Sequence, residues 1–132
     1  MAIEYVRLER EHLTGVVKLF EAEGWASYTE DPATTWRALT APGSVVLVAV
    51  EDGAVVGIVQ MLSDGVIQAF MTVLIVAPEC RRRGVGRRLV EEAFARCGAR
   101  RVDLSTDDET GDFYRTFRHR ELRSFRLYPG AG

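Results

Sequence analysis

The sequence predicts a mixed α/β domain, with a mostly antiparallel central sheet and helices on both faces, in the order β-α-α-β-β-β-α-β-α-β. Three observations predict it. Apolar residues fall at helical spacing before Gly24, then form nearly continuous runs from Val45 to Val76, broken by two glycine turns. Helical spacing returns at Val85, and a further strand follows it. A helix between two strands demands a parallel crossover, so the sheet is mixed.

Ile3 to Leu8 alternates as a first strand. Leu13, Val16, Val17 and Phe20 fall at i, i+3, i+4 and i+7, one stripe of a helix that Gly24 ends. Asp31-Pro32 reads as an N-cap followed by proline at the first helical position, opening a short helix through Trp36 and Leu39. Pro42-Gly43 closes it. Val45 to Val50, Ala54 to Leu62 and Val66 to Val76 are three strands joined by turns at Asp52-Gly53 and Ser63-Asp64-Gly65, an antiparallel meander. Val85, Leu89, Val90, Ala93, Phe94 and Cys97 line a long helix whose outer face carries Glu92 and Arg96 at i, i+4. Arg101 to Ser105 is the parallel strand. A helix over about Asp108 to Phe117 and a last strand over Leu122 to Tyr128 complete the order, with Pro129 onward a tail.

A length of 132 residues suits one domain, 1–132, with no linker or repeat. Hydrophobic content of 47% with 27% charged residues excludes a disordered chain. No apolar run reaches the ~20 residues of a membrane helix, and the N-terminus lacks the pattern of a signal peptide, so the expectation is cytoplasmic. Cys80 and Cys97 give no disulfide framework, and no cysteine or histidine pair has metal-ligand spacing. Residues 1–80 hold four basic and eleven acidic side chains, whereas 81–132 hold thirteen and eight, so net charge moves from −7 to +5. That split reads either as a mixed solvated surface or as an anion site in the second part, facing an acidic region that attracts a cation.

The segment Val73 to Leu89 carries the chemistry. A strand ends at Pro78, the loop Arg81-Arg82-Arg83-Gly84-Val85-Gly86-Arg87 follows, and a helix starts inside it. First-turn amides have no helical partner and the dipole makes that end electropositive, so a diphosphate can accept them. Glycines at 84 and 86 remove Cβ atoms from its path, and the arginines add charge. R-x-x-G-x-G alone is a weak signal, because many surface loops hold two glycines and several arginines. Its place between strand and helix strengthens it. Neither the G-x-x-x-x-G-K-[ST] nor the G-x-G-x-x-G loop is present.

The segment resembles the acetyl-CoA-binding motif [QR]-x-x-G-x-[GA] of the GNAT N-acetyltransferase superfamily, matched by Arg81, Gly84 and Gly86. The element order resembles that family over nearly the whole chain, and Phe113-Tyr114 resembles its aromatic-tyrosine signature. The resemblance implies that amides of Arg82 to Arg87 hold the diphosphate of acetyl-CoA. It implies that backbone groups of Leu74, Ile75 and Val76 pair with pantetheine where the strand bulges and splays, and that Tyr114 protonates the departing sulfur. By the same resemblance Trp25 and Tyr28 border the acceptor pocket; core packing explains them equally well. The expected acceptor is a primary amine on a small molecule or a protein.

The chain also departs from the family. Gln68-Ala69-Phe70-Met71-Thr72-Val73 has no carboxylate where many members carry a base, leaving a water chain or Glu21, Glu30 or Asp31. Arginines around Cys80 favour a reactive thiolate, yet no histidine is placed to activate it, so direct transfer is expected over a covalent route. Arg118-His119 stands where Gly-Phe is usual, and only fifteen residues follow Phe117. One strand is therefore short or supplied by a second subunit, and a homodimer is expected. Two further readings stand beside the enzyme. A catalytically silent acyl-CoA-binding regulatory module keeps the loop. A nucleic-acid module would use the eight arginines between 81 and 101, but Glu91 and Glu92 interrupt the patch and the chain is acidic overall, so no nucleic acid or membrane partner is expected.

Overall fold

A computed structural model describes residues 2–130. Residue 1 and residues 131–132 of the expected 1–132 domain lie outside them. The elements are β1 (Glu4–Arg7), α1 (Leu13–Glu23), α2 (Pro32–Leu39), β2 (Ser44–Glu51), β3 (Ala54–Ser63), β4 (Gln68–Val76), α3 (Val85–Cys97), β5 (Arg101–Asp103) and α4 (Gly111–Arg115). The five strands lie in sequence order in one sheet. The first four pair antiparallel, and β5 runs parallel to β4.

Local chemistry sets the boundaries. Gly24 ends α1 in the left-handed region at φ 75, where a Cβ would be strained. Asp31 caps α2 by accepting from the Ala33 amide at 3.2 Å and the Thr34 hydroxyl at 2.8 Å. Asp52 and Gly53 both have positive φ, the geometry of a tight hairpin whose twist matches the strands.

Two faces of the sheet are distinguished by what their residues meet. A Cβ on Gly57 would lie 3.0 Å from Leu89 and 3.4 Å from Val85, so that face packs on α3. Gln60, of opposite parity, reaches the Ala38 carbonyl of α2 at 3.0 Å. The core between these layers includes Val16, Phe20, Leu39, Val48, Ile58, Met61, Leu89 and Ala93, all essentially without solvent contact.

The structure corrects four expectations. β4 starts at Gln68 rather than Val66, because the Asp64 carboxylate takes the amides of Val66, Ile67 and Gln68 into the turn. Glu92 pairs with Arg88 at 3.0 Å instead of Arg96. The helix expected over 108–117 shrinks to Gly111–Arg115. Asp107 diverts the Thr110 amide, and the Thr116 hydroxyl bonds back to the Phe113 carbonyl, so side chains compete with the helix at both ends. No strand forms over Leu122–Tyr128. Its apolar side chains are exposed, and Ser124 accepts a hydrogen bond from the Ser105 hydroxyl at 2.8 Å. With arginines at 120, 123 and 126 interleaved, the segment has no wholly apolar face, and no sheet edge pairs with it.

Candidate functional site

The site is built where β4 gives way to α3. Register between β3 and β4 shifts at Gln60/Met61, leaving Thr72 as an extra residue in β4. β4 pairs with β5 only over Gln68–Phe70; beyond that point it keeps β3 as a partner and its other edge is open. The Ala77 amide bonds to Val56 of β3 at 2.8 Å, so by ladder alternation Ile75 also turns to β3, opposite Ile58. Leu74 and Val76 then present their backbone groups to the open side. The Val76 carbonyl there accepts from Arg81 Nε at 3.1 Å.

After Pro78 the chain makes one 3-10 turn to Cys80 and enters the arginine–glycine loop. Arg82 has φ 64 and Gly84 φ 80, two left-handed residues that turn successive amides outward. The first helical hydrogen bond is Arg88 N–H to Gly84 C=O at 3.0 Å. Among the described residues none of the amides from Arg82 to Arg87 finds an acceptor in the chain. Six consecutive donors, at the positive end of a 13-residue helix, form a ready anion cradle.

The two glycines act differently. A Cβ at Gly84 would meet nothing within 4 Å, so this position is open to a ligand and glycine serves its positive φ. At Gly86 a Cβ would lie 3.3 Å from Phe113 and 3.6 Å from Val76, so the missing side chain lets α4 pack on the start of α3. Val85 is buried and offers the cradle only its amide.

Most of the arginines hold the loop in place. Arg81 spans from the Val76 carbonyl to Glu23 at 2.8 Å, tying the loop to the end of α1. Arg83 grips both oxygens of Glu51 at 2.6 and 3.2 Å, and this pairing draws the Glu51 carboxyl below its usual range. Arg87 bonds to Thr116 at 2.7 Å and lies over the Phe117 ring, joining α3 to the segment after α4. Arg82 alone among the four has no ion pair among the described residues.

Tyr114 stands half-buried on α4, its ring edge-on to Phe113 at 5.0 Å. Burial, with help from Asp107, pushes its pKa up to about 12, so the hydroxyl keeps its proton at neutral pH. Phe113, which sits against Gly86, anchors this helix beside the cradle. Sequence reasoning left Phe113 outside the site, although it belongs to the aromatic pair.

Trp25 and Tyr28 come together around buried Phe20, with ring centroids 5.6 and 4.4 Å from it. They share no ring contact or hydrogen bond with Tyr114 among the described residues. Asp31 is committed as a cap, and its hydrogen bonds from Thr34 and Ala33 lower its pKa. The arginines around Cys80 do not activate it. The thiol is buried, and burial, then the Glu51 carboxylate, push its pKa up against the weaker pull of Arg83.

One polar group escaped the sequence reading. Gln60 is buried within the apolar run of β3 and bonds to Ala38, Ser44 and Thr72. Its signal was a lone amide in a strand of aliphatic residues.

The family model for the acetyltransferase (GNAT) domain matches residues 42–117, more than half the chain and all of this site from β4 to Phe117. The chain belongs to the GNAT acetyltransferase family. It is an acyltransferase whose acetyl donor is acetyl-CoA. Among similar solved structures is a GNAT-family acetyltransferase from Streptococcus pneumoniae TIGR4, 26% identical with TM-score 0.77, covering 98% of both chains. An aminoglycoside acetyltransferase from an uncultured soil metagenomic sample, in complex with sisomicin, is 20% identical at TM-score 0.79, covering 98% of this chain and 97% of that one. AAC(6')-Iy in complex with the bisubstrate analogue CoA-S-monomethyl-acetylneamine is 18% identical at TM-score 0.79 over 100% of both chains. The last two establish the GNAT fold alone. No curated protein matches the chain at a significant level.

Proposed function

We propose that the chain moves an acetyl group from acetyl-CoA directly to a primary amine, with Tyr114 as general acid. The run of unpartnered amides from Arg82 to Arg87 carries this reading. A linked diphosphate accepts several of them at once, and the open position at Gly84 leaves it room. The open edge of β4 offers Leu74 and Val76 to the amides of pantetheine, with Ile75 fixing the strand between them against β3. Arg82 is the cation free to add charge at the phosphates, while Arg81, Arg83 and Arg87 hold the loop in shape.

The chemistry follows from that placement. An alkyl amine of pKa about 10.4 is mostly protonated at neutral pH and must lose a proton before it attacks. β4 carries no carboxylate at the slot and Asp31 is spent as a cap, so that proton goes to a water chain or to an exposed carboxylate of the first part, Glu21 or Glu30. Nitrogen adds to the thioester carbon, whose oxygen draws on an amide at the open β4 edge. The C–S bond then breaks, sulfur keeps the electron pair, and the Tyr114 hydroxyl supplies its proton. The acylated nitrogen loses its second proton to water, and Tyr114 regains one from the same solvent. A buried Cys80 thiol with a raised pKa favours this direct route over an acyl-enzyme.

Trp25 and Tyr28 are proposed to shape the acceptor pocket from the α1–α2 side while packing on Phe20. The protein is proposed to work in the cytoplasm as one domain, 1–132, and as a homodimer through the unpartnered segment Leu122–Tyr128. No helix among the described residues is long and apolar enough to cross a membrane. Calorimetry with CoA, followed by thiol release from acetyl-CoA against a panel of amines including an aminoglycoside and a lysine peptide, tests the function. Binding without release from any amine would favour the silent acyl-CoA-binding module, the reading supported by the missing β4 carboxylate. No heat with CoA would end both.

A further inference from the structure

Gln60 and Thr35 are the only buried polar residues among those described, and Gln60 spans three elements. Its Nε2 donates to the Ala38 carbonyl of α2 at 3.0 Å and to Ser44 Oγ of β2 at 3.1 Å. A carbonyl can only accept, so this contact fixes which end of the amide is nitrogen. Oε1 therefore faces Thr72, whose hydroxyl donates to it at 2.9 Å.

Thr72 is the extra residue of the β4 bulge. On one side of it β4 is paired with β5 through Gln68–Phe70; on the other it leaves β5 and stays with β3. A bulge bends its strand and raises the local twist, and its extra residue has no ladder bond of its own to hold it. Here the side chain supplies the missing tether. Leu74 and Val76, whose backbone groups face the open side, lie two and four residues beyond the bulge. Their orientation follows from how Thr72 is held.

We infer that Gln60 and Thr72 form a positioning clamp, which fixes the β4 bulge and so aligns the slot that receives the pantetheine arm. This rests on the acetyl-CoA reading of the site. The clamp lies away from the diphosphate cradle, which is held by Arg81, Arg83 and Phe113. Loss of the clamp therefore weakens the grip on pantetheine and spares the grip on the nucleotide. A residue that merely stabilised the fold would weaken both.

The test compares two ligands by calorimetry: CoA, and adenosine 3′-phosphate 5′-diphosphate, its nucleotide half. Thr72→Val is expected to weaken CoA roughly five- to tenfold, the scale of one buried hydrogen bond. The nucleotide should bind within about twofold of wild type, a negligible difference on the same scale. Thr72→Ser restores the hydroxyl and should recover CoA binding. If the valine variant does not fold, Thr72→Cys keeps the volume while donating weakly, and should show the same contrast between ligands. Equal loss for both ligands, or undiminished CoA binding, overturns the clamp and leaves the acetyl-CoA reading standing. A wild-type protein that binds neither ligand overturns the acetyl-CoA reading itself.

Discussion

Strand β3 and the segment Leu122–Tyr128 are both rich in large apolar side chains, and they meet opposite fates. From Val56 to Met61 every residue of β3 is buried, between α3 on one face and α1 and α2 on the other. In the second segment Leu122, Phe125, Leu127 and Tyr128 are between 62% and 86% exposed. The difference lies in partners. β3 has a paired strand on each side, so its backbone groups and both faces are satisfied together. The later segment has neither neighbour, and its arginines, three residues apart, would fall on both faces of a strand. Apolar residues make a strand only where a paired edge accepts them.

Tyr114 breaks any simple contrast between an important core and an idle end. It lies half-buried on the short helix α4, in neither segment, yet should show the largest effect of any single change. Tyr114→Phe keeps the ring that packs on Phe113 and deletes the proton donor. Turnover should fall by about 10²–10⁴, the range for a general acid, while CoA affinity holds. Steady-state kinetics with calorimetry would decide, and unchanged turnover removes Tyr114 from the mechanism.

The next effect belongs to β3. A Cβ on Gly57 would stand 3.0 Å from Leu89, 3.3 Å from the Ile75 carbonyl and 3.4 Å from Val85. Gly57→Val should therefore cost about 1–3 kcal/mol in chemical denaturation, since β4 and α3 cannot both move aside. A variant as stable as wild type would mean that the α3–β3 interface is looser than the packing shows.

The same contrast explains what the sequence disclosed. The meander, the capped α2 and the glycine-ended α1 rest on local rules: alternation, Asp-Pro at a helix start and turn residues with positive φ. These rules act over a few residues and were legible. The cradle was legible for the same reason, because free amides at a helix start follow from the helix itself. Gly86 was not, because its reason is Phe113, 27 positions away in the sequence. The roles of Arg81 and Arg83 as loop braces depend on Glu23 and Glu51, far upstream. Gln60 likewise becomes meaningful only when α2, β2 and β4 converge on it. Nothing local to 122–128 says that its edge is missing.

A double change, Phe125→Ser with Leu127→Ser, probes that missing edge. Side chains this exposed contribute little within one chain, so monomer stability should stay within about 0.5 kcal/mol. If the segment pairs with a second copy, sedimentation should show dimer in wild type and a shift toward monomer in the variant. A wild type that is monomeric at all concentrations ends the homodimer proposal.

The smallest expected effect compares one chemistry in both regions. Arg83 holds Glu51 beside the cradle, and Arg115 holds Glu121 in the exposed end; each arginine lowers its partner's carboxyl pKa. A carboxyl with a depressed folded-state pKa adds stability above its ordinary value of 4.5, and that stability is lost as pH falls through the lower folded value. The stability gap between wild type and Glu51→Gln should thus be present at neutral pH and close in acid. Solvent access separates the two pairs, because the Glu51 side chain is 18% exposed and that of Glu121 68%. Salt should accordingly erase the Glu121→Gln gap first, while the Glu51 gap persists. Denaturation at neutral and acid pH, in low and high salt, measures both. Equal screening would show that the Arg83–Glu51 brace is as solvated as the exposed pair, and that the loop owes its shape to its backbone alone.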